Sequence, residues 1–267
     1  MFQNLLPDAG KGIEFLLKPD FGKVDRNVFL NALGQSFYSM SIGMGCICTY
    51  ASYFSRQTNL LKSAIQISAI DLMVAVLAGL MIFPAAFSVG ISPDSGPSLI
   101  FITLPNVFNE AFASMPVLGW IISLMFYVLL SVAALTSLMS LHEVNTSFFY
   151  EELKIDRKKG AMIVTVSCAI IGAFCSLSLG ATDKLSFGGK ALFDWFDFVT
   201  GQLFLPTGGL LTCLFLGWYV PKKVVKDEFT NWGTLKGQVF HVYLFLIKFV
   251  CPVLIFLVFL HQFGVFG

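Results

Sequence analysis

The sequence predicts an all-α membrane protein with about six transmembrane helices, one of them broken. Three observations carry this. Of 267 residues, 56% are hydrophobic and 12% charged, half the roughly 25% charge of soluble domains, too little to cover a water-facing surface. The mean hydropathy is +0.79. The apolar residues fall in long runs without Asp, Glu, Lys or Arg. These runs are continuous rather than alternating, which excludes a membrane β-barrel. A net charge of +1 gives no electrostatic footprint for nucleic acid. Cys46, Cys48, Cys168, Cys175, Cys213 and Cys251 sit inside apolar runs without zinc-type spacing, so no disulfide framework or metal–thiolate centre is expected. No nucleophile–base set appears, so an enzyme is not expected.

The uncharged runs are Asn27–Ser55, Leu72–Pro93, Ala111–Leu141, Gly160–Thr182, Phe198–Pro221 and, interrupted by Lys248, Gly237–Gly267. A helix needs about 20 apolar residues to cross roughly 30 Å of hydrocarbon. Spans are therefore predicted at about 27–54, 63–90, 116–150, 161–180, 192–218 and 238–263. Residues 1–26 are charged. Within them GIEFLLKPDF reads as a short surface helix stopped by Pro19, and no signal peptide is expected. The link 91–115 carries Pro93, Pro97 and Pro105, with a short helix expected over Asn106–Ala113. Residues 219–237 read as a charged loop, and 238–267 as a last helix.

Orientation follows from Lys and Arg. Alternate loops hold Arg56 and Lys62, then Lys154, Arg157, Lys158 and Lys159, then Lys222, Lys223, Lys226 and Lys236. The other internal loops hold Lys184 and Lys190. The first set is expected in the cytoplasm and residues 1–26 outside, a start that implies further sequence upstream.

The polar residues inside the spans are the candidate functional groups. In GQSFYSMSIGMG, Ser39, Ser41, Gly43 and Gly45 cluster near mid-span. Glycine weakens a helix by about 1 kcal/mol relative to alanine, and serine offers competing hydrogen bonds. An unwound stretch is expected at about Ser41–Gly45, where free backbone groups and two half-helix ends suit a charged solute and a cation. Close helix packing explains the same small residues equally well. Asp71, in the second span, reads as functional, because an ionised carboxylate there is costly unless paired, or else as a residue near cytoplasmic water or a protonated one. Thr136 and Ser137 are hydroxyls that either bond to their own helix or add oxygens to a cation site. Glu143 is expected to pair near the cytoplasmic mouth, and His142 is ambiguous. Asp194 and Asp197 share a face at the outer start of the fifth span, as a gate or as a solvated helix start. Pro206, Gly208 and Gly209 are expected to kink that span. Lys248 is expected to be paired or snorkelling.

Taken together these motifs resemble the second half of a neurotransmitter:sodium symporter of the bacterial eleven-helix amino-acid transporter type. GQSFYSMSIGMG resembles the family's broken sixth helix and AGLMIFPAAF the end of its seventh. LIFITLP resembles the loop dipping into the outer vestibule, ALTSLMSLHE the eighth helix, and DWFDF the start of the tenth. The resemblance implies an extracellular connection (1–26), the second five-helix repeat (27–218), a cytoplasmic loop (219–237) and an additional C-terminal helix (238–267). It implies a multi-pass protein of the cell inner (plasma) membrane that couples sodium entry to symport of a neutral, hydrophobic amino acid by alternating access. Ser39 and Asp71 would ligate a first sodium ion. Ala133, through its carbonyl, with Thr136 and Ser137 would ligate a second. Tyr38, Ser39, Ser41, Met44, Ser137 and Leu141 would line the substrate pocket. Tyr38 would form its lid, and Asp194 and Asp197 would stand at the outer gate. A carboxylate at Asp71 is expected to replace chloride. Counterparts of the family's helices one to five are missing, so each sodium site would be partly formed. The partner would be those helices, from an upstream extension or a separate chain, besides the lipid bilayer. An inactive fragment or non-transporting scaffold is the alternative.

The orientation is testable. A cysteine at Ser98 is expected to react with a membrane-impermeant maleimide from outside, and one at Lys158 is not. Labelling at Lys158 alone would reverse the topology.

Overall fold

A computed structural model of the chain describes residues 9–55, 58–88, 100–101, 104–179, 186–188, 190–234, 237 and 239–263. Lys184, Lys236 and most of the 91–103 link, with Pro93, Pro97 and Ser98, lie outside the described residues. The helices are α1 (Ala9–Leu17), α2 (Arg26–Ser39), α3 (Cys46–Ser52), α4 (Leu60–Ser88), α5 (Leu104–Ala111), α6 (Pro116–Glu151) and α7 (Arg157–Ser178), then α8 (Leu192–Tyr219), α9 (Lys222–Phe229) and α10 (Phe240–Gln262). Strands β1 (Ser186–Phe187) and β2 (Lys190–Ala191) pair antiparallel, Ser186 against Ala191, with Gly188 at φ 61° in the turn.

Helices α4, α6, α7, α8 and α10 are long and apolar enough to cross a bilayer, with mean hydropathy from 1.5 to 2.7. At most 17% of any of these apolar windows is buried, so the apolar side chains face outward, as a membrane solvent requires. The protein is thus a multi-pass membrane protein. The first predicted span is not continuous: α2 and α3 are its two halves. Polar caps at the chain's links start the helices. Asp25 accepts from the Val28 N–H at 2.8 Å, Asn59 from Lys62 at 3.0 Å and Asp156 from Lys158 at 3.2 Å, each cap worth about 1 kcal/mol. Two departures from the sequence reading concern the links. Residues 219–237, expected as a loop, contain α9, and the short β1–β2 hairpin precedes α8.

Helices α8 and α10 widen into π-turns at Phe198–Phe204, Phe215–Tyr219 and Leu246–Val250. Pro206 and Pro252 stand in the first turn after two of these. Proline has no N–H and its ring crowds the carbonyl four residues back; the wide turn makes room by adding a residue. The kink expected at Pro206 takes this form.

The chain divides into two compact units, Met1–Val24 with Ile67–Ser137, and Asp25–Gln66 with Leu138–Gly267. In the first, α1 lies on the end of α4. Phe15 meets Phe83 at 5.2 Å and Phe87 at 5.5 Å between ring centroids. Gly12 sits directly on the Pro84 backbone; a Cβ there would lie 2.5 Å from the proline nitrogen. On the exposed face of α1, Lys18 donates to Glu14 one turn earlier. That hydrogen bond, and then the lysine's charge, hold the Glu14 carboxyl below its ordinary value and raise Lys18. Helix α5, two residues earlier than expected, buries Leu104 and Val107 and sets Phe108 5.5 Å from Phe126 of α6. In the second unit, Leu30, Leu205, Ile255 and Val258 are the buried core where α2, α8 and α10 meet.

Gly12→Ala is expected to destabilise the protein by about 1–3 kcal/mol through overpacking against Pro84. Gly10→Ala is expected not to, because nothing lies within 4 Å of the added methyl. Equal thermal unfolding of the two variants in detergent would contradict this packing.

Candidate functional site

The site begins with the break between α2 and α3. The helix ends at Ser39, and Ser41 (φ 51°), Gly43 (φ 90°) and Gly45 (φ 83°) take left-handed backbone. Glycine adopts it at no steric cost, whereas for serine it costs roughly 1–2 kcal/mol. Local turns hold the segment: the Ser41 N–H donates to Tyr38 O at 3.1 Å, and the Ile42 N–H to Phe37 O at 3.0 Å. The break lies at Met40–Gly45, one residue longer than predicted.

What holds the unwound segment is α8. A Cβ on Gly43 would lie 2.3 Å from the Leu205 carbonyl oxygen and 2.9 Å from the Gly209 nitrogen. A Cβ on Gly208 would lie 2.5 Å from the Gly43 carbonyl oxygen. The two backbones touch because neither residue has a side chain. Gly209 is buried beneath the Phe37 ring in the same contact. The dipole-negative end of α2 and the dipole-positive end of α3 thus face a gap braced by another helix.

Tyr38 and Ser39 end α2, and Ser41 and Met44 lie in the break. Tyr38 is 54% exposed. It shares a cavity of about 420 Å³ with Asp197, Asn31, Gln35, Gln202, His261 and Gln262. Two of the three expected gate residues, Tyr38 and Asp197, therefore line one cavity. His261 Nε2 lies 3.1 Å from Asn31 Oδ1, tying α10 to α2 at its wall. Asp194 does something else: its Oδ2 accepts from the Ala191 N–H at 3.2 Å, capping α8. That is the helix-start role weighed for it above.

Ala133, Thr136 and Ser137 come together on one face of α6. The Thr136 hydroxyl donates to the Ala133 carbonyl at 2.7 Å, and the Ser137 hydroxyl to the same carbonyl at 3.2 Å. Three oxygens are gathered at one point, the hydroxyls keeping lone pairs for a further ligand. Asp71 is half-buried on α4. Asp71, Ala133, Thr136 and Ser137 belong to the first unit, and Tyr38, Ser39, Ser41, Met44, Leu141, Asp194 and Asp197 to the second. Leu141, two helical turns beyond Ala133, is exposed.

Further along α6, Glu143 is paired as expected, with partners the sequence did not name. Its Oε1 accepts from Arg157 Nη2 at 2.5 Å and from the Tyr53 hydroxyl at 2.8 Å. The Tyr50 hydroxyl donates to Ser140 at 2.7 Å. The end of α3 is therefore fastened to α6 and α7 by a charge-assisted network. The ambiguous His142 is structural: its Nε2 lies 3.0 Å from the Thr165 hydroxyl and 3.2 Å from the Ala161 carbonyl, joining α6 to α7. Lys248 lies over the Trp218 ring at 4.9 Å, a cation–π contact. The cavity residues Asn31, Gln35, His261 and Gln262 were missed. The signal available was their spacing, Asn31, Gln35 and Tyr38 standing four and three apart on one helix face.

Gly43→Ala and Gly208→Ala are each expected to cost on the order of 2–4 kcal/mol, from backbone overpacking and, at residue 43, left-handed strain. Gly172→Ala, with nothing within 4 Å, is the control in thermal unfolding. A loss at neither site would remove the docking contact.

Comparison with known proteins identifies the family. Residues 2–266 match the model of the sodium:neurotransmitter symporter family. An uncharacterised sodium-dependent transporter of Bacillus subtilis, YhdH, is 33% identical over 97% of this chain and 56% of its own length. One of Haemophilus influenzae is 34% identical over 96% of this chain and 54% of its own. The crystal structure of MhsT in complex with L-phenylalanine superposes with a TM-score of 0.84 at 35% identity, covering 97% of this chain and 57% of that one. The chain thus spans just over half the length of these relatives. It belongs to the sodium:neurotransmitter symporter family.

Proposed function

We propose that this chain forms the second half of a sodium-coupled symporter for neutral, hydrophobic amino acids. The break at Met40–Gly45, docked on α8, is the observation that carries this reading. It gives a solute's charged ends two helix termini and turn backbone at membrane depth, where irregular backbone survives only against protein or a water-filled cavity. Tyr38, Ser39, Ser41, Met44, Ser137 and Leu141 contribute to the substrate pocket. Methionine at residue 44 is a flexible wall suited to apolar side chains of differing shape. A relative captured with L-phenylalanine supports that substrate class. Tyr38 closes the pocket and Asp197 stands at the outer gate beside it; Asp194 holds the start of α8.

The resemblance to the family supports two sodium sites. Ser39 and Asp71 contribute to one, and the Ala133 carbonyl with Thr136 and Ser137 to the other. Hard cations take oxygen ligands and bind well when enough of them replace water. Each set here is a partial shell, so transport needs the remaining part of the family fold, in the same polypeptide or a separate chain. A fixed carboxylate at Asp71 makes chloride unnecessary. The membrane potential adds about 2.3 kcal/mol per sodium charge per 100 mV to drive uphill entry.

The test uses the chain joined to the family's first five helices in proteoliposomes. Asp71→Asn is expected to raise the sodium needed for half-maximal L-phenylalanine uptake by about tenfold or more, and to introduce chloride dependence. Leu72→Ala is expected to change neither. Unchanged sodium affinity in Asp71→Asn would remove Asp71 from the sodium site.

A further inference from the structure

In the second unit, away from the break, a cavity of about 360 Å³ opens between the start of α4, the last turn of α8, α9 and α10. Leu60, Leu61, Leu216, Val220, Val225 and Phe229 make its walls apolar, and Tyr243 and Ala64 complete them. The volume is that of a ligand pocket, of order 300–1,000 Å³.

Three features around it point to a lipid. Helix α9 is two-faced. Val224, Val225 and Phe229 line the cavity; Lys222 and Lys226, each three residues before a wall residue and exposed, border that face, while the exposed Lys223 lies on the far side. Lys62 follows two wall residues at the start of α4. The cavity also lies at interface depth: Trp218, Tyr219 and Trp232 flank α9 in the chain and are 60%, 80% and 62% exposed. Exposed Trp and Tyr at the end of an apolar span mark the headgroup level of a bilayer. Clustered lysines at that level attract anionic lipid. The acidic groups on α9 are Asp227 and Glu228; Glu228 stands at the cavity rim and opposes an anionic headgroup there.

We propose that this cavity holds an acyl chain of an anionic phospholipid of the surrounding bilayer, its phosphate held by Lys222 and Lys226 at the cavity's edge. The lipid wedges α9 between the ends of α8 and α10. This does not depend on which solute the protein carries.

The probes are dioleoylphosphatidylglycerol and dioleoylphosphatidylcholine, offered to the full chain in detergent, with retained lipid read by native mass spectrometry. The glycerol lipid is expected to be retained in preference. Changing Lys222 and Lys226 to glutamine is expected to weaken its retention about 25-fold, at roughly fivefold per lysine, to the level of the choline lipid, and Lys223→Gln alone is expected to change it least. Glu228→Gln is expected to strengthen it roughly fivefold, and keeps the test open should the double variant not fold. Ala64→Phe, filling the cavity, is expected to lower retention of both lipids. Equal retention of the two lipids, no response to the lysine or Glu228 changes, or full retention in Ala64→Phe would each overturn the proposal. So would cross-linking of two copies of the chain through cysteines placed at Val224.

Discussion

Two backbones meet without side chains between them at Gly43 and Gly208, and the candidate site depends on that contact. An unwound segment at membrane depth is costly unless its polar groups are enclosed by protein or meet water. Here the segment leans on the first turn of α8 after a π-turn, where Pro206 has already disturbed the helix. Neither contact tolerates a Cβ: the distances of 2.3 and 2.5 Å to carbonyl oxygens are below any real Cβ contact. Locally weak sequence in one helix is thus matched by locally wide geometry in another. From this brace, Tyr38 and Asp197 reach one cavity, and α3 continues to its anchor at Glu143.

The bilayer explains the rest of the arrangement. Apolar side chains dominate the exposed surface of the continuous spans, and the polar groups among them are mostly hydrogen-bonded within the protein. In hydrocarbon each polar group needs a partner within the protein. Thr136 and Ser137 find one in the Ala133 carbonyl, His142 in the neighbouring helix, and Glu143 in Arg157 and Tyr53. Such bonds hold the groups in place. The π-turns of α8 and α10 belong to the same economy: they absorb prolines without leaving a helix end in lipid.

Much of this was legible in the sequence. The spans followed from uncharged runs, because covering 30 Å of hydrocarbon is a demand on composition. The break followed from Ser41, Gly43 and Gly45, whose backbone preferences act locally. Its brace was not legible: Gly208 and Gly209 read as a kink, since their partner is distant in sequence. Asp194 and Asp197 looked equivalent by spacing. Their surroundings differ: Asp194 caps α8 through the Ala191 N–H, while Asp197 lines the cavity with Tyr38. Helix α9 was hidden in a charged loop because eight residues give too little periodicity for an amphipathic face to stand out. Glu143 announced a partner by its cost in a span, while Arg157 and Tyr53 depended on how α3, α6 and α7 come together.

The central claim is that this chain carries one half of a sodium and amino-acid site whose other half lies in the rest of the family fold. Scintillation-proximity binding of L-phenylalanine tests it most directly. The 267-residue chain would be compared alone and together with the first five helices of a relative, each with and without sodium. Saturable, sodium-dependent binding by the combined protein and none by the chain alone is the predicted result. Saturable, sodium-dependent binding by the chain alone would contradict it, since the oxygens described here would then suffice, or a second copy would supply the remainder.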